Sequence, residues 1–226
     1  MNKIQKNLVL FALFIVPLLF YIFLQLGTHN FGKLNVVNKN VLDVAHINKK
    51  YTFKNKVSVV AFLGNDLSIS QAEIFNLNEK VYKKFYGYTD FQTIAFVSKG
   101  KEEEIEKLKK RLSLNTNMIK WNFIFASGEE IKAIHETFKP LETLDNNFHT
   151  SKAYIIDKEN NLRRGESTIK SLEDKKLVGY NMTSVAELKN DMHDDIKVLL
   201  AEYSFALKKY NDSDDRRKKS ILNEKN

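Results

Sequence analysis

The amino-acid sequence predicts an α/β protein with a mixed sheet flanked by helices, preceded by one N-terminal transmembrane helix. Three observations predict this class: an uncharged apolar run near the N-terminus, short apolar segments typical of strands, and intervening segments whose apolar residues have helical spacing. With 226 residues and 43% hydrophobic content, the chain is long and apolar enough for one domain besides the membrane helix.

The apolar run, Leu8–Leu26, contains no charged residue, and its length approaches the roughly 20 residues that cross a bilayer as a helix. It is longer than the apolar part of a typical signal peptide, and no A-x-A-like cleavage site follows it. The alternative interpretation is a buried helix in a protein core, but core helices rarely contain so long an uncharged run. The amino terminus, Lys3 and Lys6 before the run, against Lys33 and Lys39 after it, give a slight positive-inside bias that places the N-terminus inside. We therefore predict an uncleaved, single-pass anchor in the inner (cell) membrane with the body in the periplasm.

The chain divides into four segments by composition. Residues 1–27 are the membrane anchor, and the Asn- and Lys-rich residues 28–50 form a tether that ends in a first strand. The folded domain covers 51–210, and 211–226 is a polar tail.

The first half of the domain alternates strands and helices. Val57–Leu63 is a nearly continuous apolar run that ends at a Gly-Asn-Asp loop, as expected of a buried central strand. Apolar residues then recur at spacings of three and four from Ile74 to Phe85, which predicts a helix. Phe91–Val97 is a second buried strand, and 101–112 is a helix whose Glu and Lys residues pair at i,i+4 on a solvent-exposed face.

The second half continues the alternation and then changes to a hairpin. Ile119–Phe125 alternates as a strand, and Ser127-Gly-Glu-Glu130 opens a helix that extends to Phe138. Ala153–Ile156 is a strand that enters a hairpin through the turn 157–161. A closing helix begins at the capping box of Ser184 and Glu187 and continues to Leu207. Strands separated by helices, followed by a hairpin and a closing helix, resemble the thioredoxin fold.

Composition and motifs exclude several kinds of chemistry. The sequence has no cysteine, which excludes disulfides, thiolate–metal sites, a cysteine nucleophile and thiol redox activity. The phosphate-binding P-loop, the G-x-S-x-G elbow of hydrolases and the H-E-x-x-H zinc motif are all absent. The net charge of +8 does not by itself indicate nucleic acid, and we predict no nucleic-acid partner. Nothing in the sequence establishes an enzyme.

Two places could carry function. One is the loop 64–70, which leads into a helix N-terminus and could present amides to an anion. The other is His149, just before the strand that begins at Ala153. A histidine in this position is either a ligand or proton carrier, or a structural side chain held by hydrogen bonds.

Four segments carry a resemblance to a known family: VSVVAFLGND, TIAFVS, WNFIFASGEEIKAIHETF and, above all, FHTSKAYIIDKENNLRRG. Together with the layout of span and domain, they resemble the membrane-anchored Sco/SenC proteins, which are thioredoxin-like copper chaperones of cytochrome oxidase assembly. The last segment is similar to that family's H-[ST]-x-x-x-x-[IL]-[IL]-D-x-x-[GN] strand and hairpin. The resemblance covers about 51–210.

The resemblance also identifies what this chain lacks. In the Sco family a C-P-x-x-C loop supplies two thiolates for copper, and a histidine supplies the third ligand. His149 falls on that histidine, whereas Asp66 and Ser70 stand where the cysteines would be, give or take one or two positions. Because Cu(I) prefers soft sulfur ligands, the resemblance implies a degenerate site that does not bind copper tightly. We expect no cofactor.

These observations lead to one favoured function and two alternatives. The favoured function is that of a membrane-anchored, periplasmic, non-enzymatic accessory or assembly factor related to copper delivery and cytochrome oxidase biogenesis. Its partner would be a membrane complex such as a respiratory oxidase. The first alternative is a protein-binding module that uses the loop 64–70 or the closing helix and has no metal role. The second is an enzyme that uses Asp66, Ser70 and His149 as acid–base groups.

Overall fold

The computed structural model describes residues 3–26, 34–204 and 206. The chain forms two compact units, which divide between Gly32 and Lys33. The first contains helix α1, Lys3–Leu26, with Pro17 inside it. The stretch Ile4–Phe23 has a mean hydropathy of 2.2 and is long and apolar enough to cross a membrane. This matches the predicted anchor in place and length, whereas the membrane itself and the orientation stay predictions.

The second unit is built on one mixed sheet. In the part of the chain that the structure describes, its strands are β1 Val36–Asn38, β2 Val57–Gly64, β3 Phe91–Ser98, β4 Trp121–Ala126, β5 Lys152–Ile156, β6 Leu162–Arg163 and β7 Tyr180–Asn181. The order is β1-β6-β5-β2-β3-β4, with β7 pairing β5. Strands β2, β3 and β4 are parallel, while β5 runs antiparallel to β2 and to both β6 and β7.

Helices cover both faces of this sheet. They are α2 Leu67–Leu77, α3 Lys83–Phe85, α4 Glu102–Ser113, α5 Gly128–Glu136 and a closing helix α6 over 185–204. A π-helical turn, Asn78–Tyr82, joins α2 to α3, and a second, Glu187–Met192, lies within α6. Short 3₁₀ turns occur at Val44–His46 and Lys170–Leu172. Parallel strands joined by helices, followed by a hairpin and a closing helix, confirm the predicted thioredoxin-like fold.

The alternation of side chains along β2 divides the core in two. Val57, Val59 and Leu63 pack with α2, α4 and α6 on one face of the sheet. Val60 and Phe62 pack with α5 on the other. Both sets are buried, because a central strand is covered on both sides.

Residues 34–50, which the sequence analysis assigned to a tether, belong to the folded unit. Leu34, Val41 and Val44 are buried, and β1 pairs antiparallel with β6. The Arg163 guanidinium donates hydrogen bonds to the Leu34 carbonyl, at 2.7 Å from Nη2. The Asn- and Lys-rich composition concealed these few buried apolar positions, so the domain begins earlier than 51. Residues 28–33, the end of the predicted closing helix at Leu207 and the tail lie outside the described residues.

The start of α6 differs from the predicted capping box. The Ser184 hydroxyl accepts a hydrogen bond from the Glu187 amide at 3.2 Å, as expected. The Glu187 carboxylate, however, lies 3.6 Å from Nη2 of Arg164. The Glu187 carboxylate therefore pairs with a buried arginine, whereas the capping-box motif predicts that it accepts a backbone amide proton at the start of the helix.

Five buried side chains form what we call the Arg164 cluster: Arg164, Glu187, Asp191, Asp195 and Tyr180. Within the described residues, Arg164 is the only cation of this cluster. The guanidinium nitrogens lie 3.4 Å from the carboxylates of Asp191 and Asp195, and its carbon is 3.9 Å from the centre of the Tyr180 ring.

Two of these carboxyls respond differently to burial. Burial raises the pKa of Asp195 above its ordinary value, although the Tyr180 hydroxyl donates to it at 2.5 Å. Burial alone would also raise the pKa of Asp191, but hydrogen bonds from Ser167 and Thr168 outweigh burial and bring the pKa of that carboxyl below its ordinary value. Together with Glu187, these two acids share the Arg164 guanidinium as the cation of the cluster.

Candidate functional site

The candidate site lies where β2 ends and the segment before β5 crosses it. Gly64, the last residue of β2, has a φ of +66°, and a Cβ there would lie 2.0 Å from the Asn147 carbonyl oxygen. The Asn65 amide donates to that same oxygen at 2.8 Å. Only glycine permits this approach, so the end of β2 positions residues 147–149 against the start of α2.

His149 is buried at this crossing and is held between two carboxylates. Its Nε2 lies 2.7 Å from Oε2 of Glu73 on α2, and both residues are less than a tenth exposed. Its Nδ1 lies 3.5 Å from Asp145, which also accepts the His149 amide proton at 2.8 Å. Burial opposes the protonated ring, but the hydrogen bond and charge of Glu73, together with Asp145, raise the pKa of His149 above its ordinary value. The ring is therefore an imidazolium paired with Glu73 at mildly acidic pH.

Asp66 and Ser70 have separate structural tasks. Asp66 is the N-cap of α2, and its carboxylate accepts the Ser68 amide at 3.0 Å and the Ser68 hydroxyl at 2.6 Å. These two hydrogen bonds lower the pKa of Asp66. Ser70 is buried one turn further, with its hydroxyl 3.5 Å from the Leu67 carbonyl. Within the described residues, neither forms a hydrogen bond or ion pair with His149.

The donor chemistry of this site does not fit a copper ion. In the described part of the chain, no group of three or more His, Asp or Glu side chains is arranged to hold a metal. The groups around His149 are carboxylates, and the sequence contains no thiolate donor. Cu(I) selects sulfur ligands, and the Nε2 atom of the one available imidazole is already bonded to Glu73.

Sequence reasoning located His149 but missed Glu73. The missed signal is the position of Glu73 in the stripe Ser70, Ile74 and Leu77, all of which are buried on the inner face of α2. A carboxylate on an apolar helix face requires a buried partner. That partner lies 76 positions away, which no local pattern specifies.

Phe148, next to His149, has an unusual backbone conformation. Its φ is +60°, which is rare for a bulky residue. Its ring lies against Gly128, the first residue of α5, where a Cβ would be 2.1 Å from Cζ of the ring.

We expect Gly128→Ala to destabilise the protein by about 1–3 kcal/mol, because the added methyl overlaps the Phe148 ring. Helix propensity alone predicts the opposite sign, a gain of about 1 kcal/mol. The measurement is thermal or urea unfolding of the full chain in detergent micelles. Gly87→Ala is the matched control, since a Cβ at Gly87 meets nothing within 4 Å. A Gly128→Ala variant as stable as that control would show that the ring moves away freely.

Comparison with known proteins adds distant similarities only. No protein-family model and no curated protein matches the chain. The soluble domain of Sco1 from Bacillus subtilis is 17% identical with a TM-score of 0.40, over 77% of this chain and 97% of that one. Yeast Sco1 is 14% identical with a TM-score of 0.32, over 55% and 82% of the two chains. A thiol:disulfide interchange protein of the thioredoxin family from Chlorobium tepidum TLS is 11% identical with a TM-score of 0.39, over 72% and 99%.

Similarities at this level do not assign the chain to a family, and the fold rests on the order and direction of its own strands. The molecule is a thioredoxin-like domain in which a buried carboxylate holds the histidine at the ends of the central strands.

Proposed function

We propose that this chain is a membrane-anchored accessory protein of the Sco type that assists the assembly of a membrane complex, such as a respiratory oxidase, from the periplasmic side. In this proposal it acts by holding a partner and transfers neither copper nor electrons. The observation that carries the proposal is the buried pair of His149 and Glu73, joined at 2.7 Å.

The energetics of that pair support a role without metal. A copper ion would have to displace the Glu73 carboxylate from His149 to reach Nε2. Removing one partner of a buried ion pair costs about 3–5 kcal/mol, because the other charge is left unpaired. A single imidazole, without thiolates, offers Cu(I) too little to offset that cost.

Copper affinity tests this proposal directly. We expect the full chain to bind Cu(I) weakly in anaerobic competition with a chelator of known strength. The double substitution Asp66→Cys with Ser70→Cys should raise the affinity at least about tenfold, because it adds two soft ligands near His149. Adding Glu73→Gln should raise it further by freeing the imidazole, and adding His149→Ala instead should lower it.

The matched control is Glu103→Cys with Lys107→Cys, which has the same i,i+4 spacing on the exposed face of α4. If this pair gains as much affinity as the first, proximity to His149 is irrelevant and the site is misplaced. Tight Cu(I) binding by the unsubstituted chain would overturn the proposal.

The assembly role has its own test. The full chain, tagged at its C-terminus, is cross-linked in intact membranes and purified with its attached proteins. Subunits of a respiratory oxidase among them would support the proposal. Cross-links to cytoplasmic proteins alone would contradict the periplasmic placement.

A further inference from the structure

A second feature, apart from the pair of His149 and Glu73, is the end of the sheet where strands β2, β3 and β4 begin. Because these strands are parallel and β5 runs antiparallel to β2, four loops meet at this end. The loops are 48–56, 83–90, 114–120 and 157–161. The pair of His149 and Glu73 lies at the other end of the sheet, where β2 ends.

Hydrogen bonds and an ion pair join the four loops into one surface. The Lys120 ammonium donates to the Tyr88 carbonyl. The Lys158 ammonium pairs with the Asp90 carboxylate at 2.5 Å. The amide of Val57, which directly follows the first loop, donates to the Asp90 carbonyl at 2.7 Å. Loop 83–90 is therefore connected to each of the other three.

The lysines of this surface outnumber its acids. The four loops contain eight lysines and three acidic residues. The three acids are Asp90, Asp157 and Glu159. Three further acids lie next to the loops on neighbouring elements: Asp43, Glu79 and Glu202. Even with these acids counted, positive charge is in excess, and we call this surface the basic end.

Half of the lysines of the basic end have no counter-ion close by. Four of them form no ion pair with any described residue: Lys54, Lys56, Lys84 and Lys120. Burial and the nearby charge of Lys56 lower the pKa of Lys120. Neighbouring like charges repel each other, and an anionic partner relieves that repulsion.

Exposed apolar side chains lie among these lysines. Tyr88, Leu114 and Ile119 are 52%, 81% and 74% exposed. Tyr88 and Ile119 belong to the two loops that Lys120 joins. Tyrosine and apolar side chains beside lysines are typical of protein surfaces that lie at a membrane–water interface.

The chain enters the domain at the basic end. The carbonyl of Leu34, the first described residue of the domain, accepts a hydrogen bond from Arg163, which also pairs with Asp157 of loop 157–161. Residues 27–33 precede Leu34, and seven residues span at most about 25 Å in any conformation. In a membrane-anchored chain, so short a connection keeps the basic end within reach of the lipid.

We propose that the basic end docks on the anionic phospholipid surface of the membrane that anchors the chain, with its lysines at the phosphates and Tyr88 and Ile119 among the headgroups. Anionic lipids attract clusters of lysines near the membrane surface. Docking directs the end with His149 and Glu73 away from the lipid and toward a partner. The proposal rests on the membrane anchor of the proposed function and adds an orientation of the domain on the bilayer.

The test follows a fluorescent label on the full chain in lipid nanodiscs. The sequence has no cysteine, so Asn115→Cys, between Leu114 and Ile119, carries a single nitrobenzoxadiazole label, whose emission shifts to the blue in an apolar environment. We expect a blue shift of at least about 5 nm in nanodiscs that contain phosphatidylglycerol, relative to nanodiscs of phosphatidylcholine alone. The same label at Ile69→Cys, in the first turn of α2 at the other end, should show no difference.

Substitution of lysines tests the role of charge. Lys54→Gln with Lys84→Gln should remove at least about half of the shift, because each lysine near an anionic membrane contributes to the attraction. Lys99→Gln with Lys101→Gln is the matched control, since it removes the same charge where β3 ends, and it should leave the shift unchanged. Circular dichroism of each variant confirms that a lost shift is not a loss of fold.

Each other result overturns the proposal. An equal emission maximum in the two kinds of nanodisc would show that the basic end does not dock on anionic lipid. An equal shift of the label at Ile69→Cys would show that the domain has no preferred end. Equal losses in the two double variants would show that the attraction follows overall charge.

A salt wash separates failure of docking from failure of the anchor. A chain that leaves the nanodiscs in 1 M salt, where charges are screened beyond about 3 Å, contradicts the membrane anchor and the docking with it. A chain that stays in the nanodiscs but shows no shift in phosphatidylglycerol contradicts the docking alone.

Discussion

Replacing Arg164 by Met is expected to lower the free energy of unfolding by about 3–5 kcal/mol, one of the two largest effects of a single substitution that we predict. Met fills much of the same space but carries no charge. Its presence leaves the carboxylates of Glu187, Asp191 and Asp195 without the guanidinium that lies 3.4–3.6 Å from them. Replacing a whole buried ion pair by apolar groups can be neutral, but here the three acids remain.

Urea unfolding of the full chain in detergent micelles measures this loss. Trp121 is the only tryptophan of the sequence and is 4% exposed, so its fluorescence reports unfolding of the domain. Arg111→Met is the control, because Arg111 is exposed on α4. Adding Asp195→Asn to Arg164→Met should recover part of the stability by removing one unpaired charge. An Arg164→Met variant no less stable than Arg111→Met would contradict the electrostatic role of the cluster.

The second large effect is expected from Glu73→Ala, and it should depend on pH. The folded pKa of His149 is raised above 6.5, so the stability that the pair contributes is fully present below pH 6.5 and is lost as pH rises through the folded pKa. Without Glu73, burial disfavours the charged ring. We therefore expect a loss of about 3 kcal/mol near pH 6 and a smaller loss, about 1–2 kcal/mol, near pH 9, where only a hydrogen bond is removed.

The measurement is the free energy of unfolding against pH for the full chain and its variants. His135 has a depressed folded pKa of about 4, so its contribution is lost as pH falls from 6.5 through that value. That loss is the same in the unsubstituted chain and in the Glu73→Ala variant, so it cancels when their free energies of unfolding are subtracted. Glu79→Ala, which removes a partly exposed carboxylate paired with Lys83, is the control. A Glu73→Ala loss that is constant across pH would show that the pair is not ionised.

Local sequence patterns predicted the scaffold well. The apolar run at 57–63, the apolar stripe from Ile74 to Phe85 and the helix that opens at Ser127 are all present as expected. Each depends on residues within a few positions of one another. Local patterns did not show that 34–50 belongs to the folded domain, because β1 becomes a strand only by pairing with β6, far along the chain.

The site was predicted only in outline for the same reason. His149 was identified by its place before β5, but the groups that surround it come from α2 and from the preceding loop. Arg163 and Arg164 follow the predicted hairpin turn, and both are buried and paired with carboxylates. Which charges meet in the interior is decided by tertiary packing, and periodicity carries no information about it.

The pairing of β1 with β6 has a consequence for how the protein is made. Val36 lies opposite Arg163, and the bond from Arg163 to the Leu34 carbonyl joins groups 129 positions apart. At about 5–20 residues per second, roughly 6–25 s pass between synthesis of the two strands. During that interval β1 has no partner, and the edge of β2 that later receives β5 stays open to other chains. Biosynthesis of this domain therefore includes a window in which a nascent chain is most exposed to misassociation and proteolysis, and the window closes only when the hairpin has emerged.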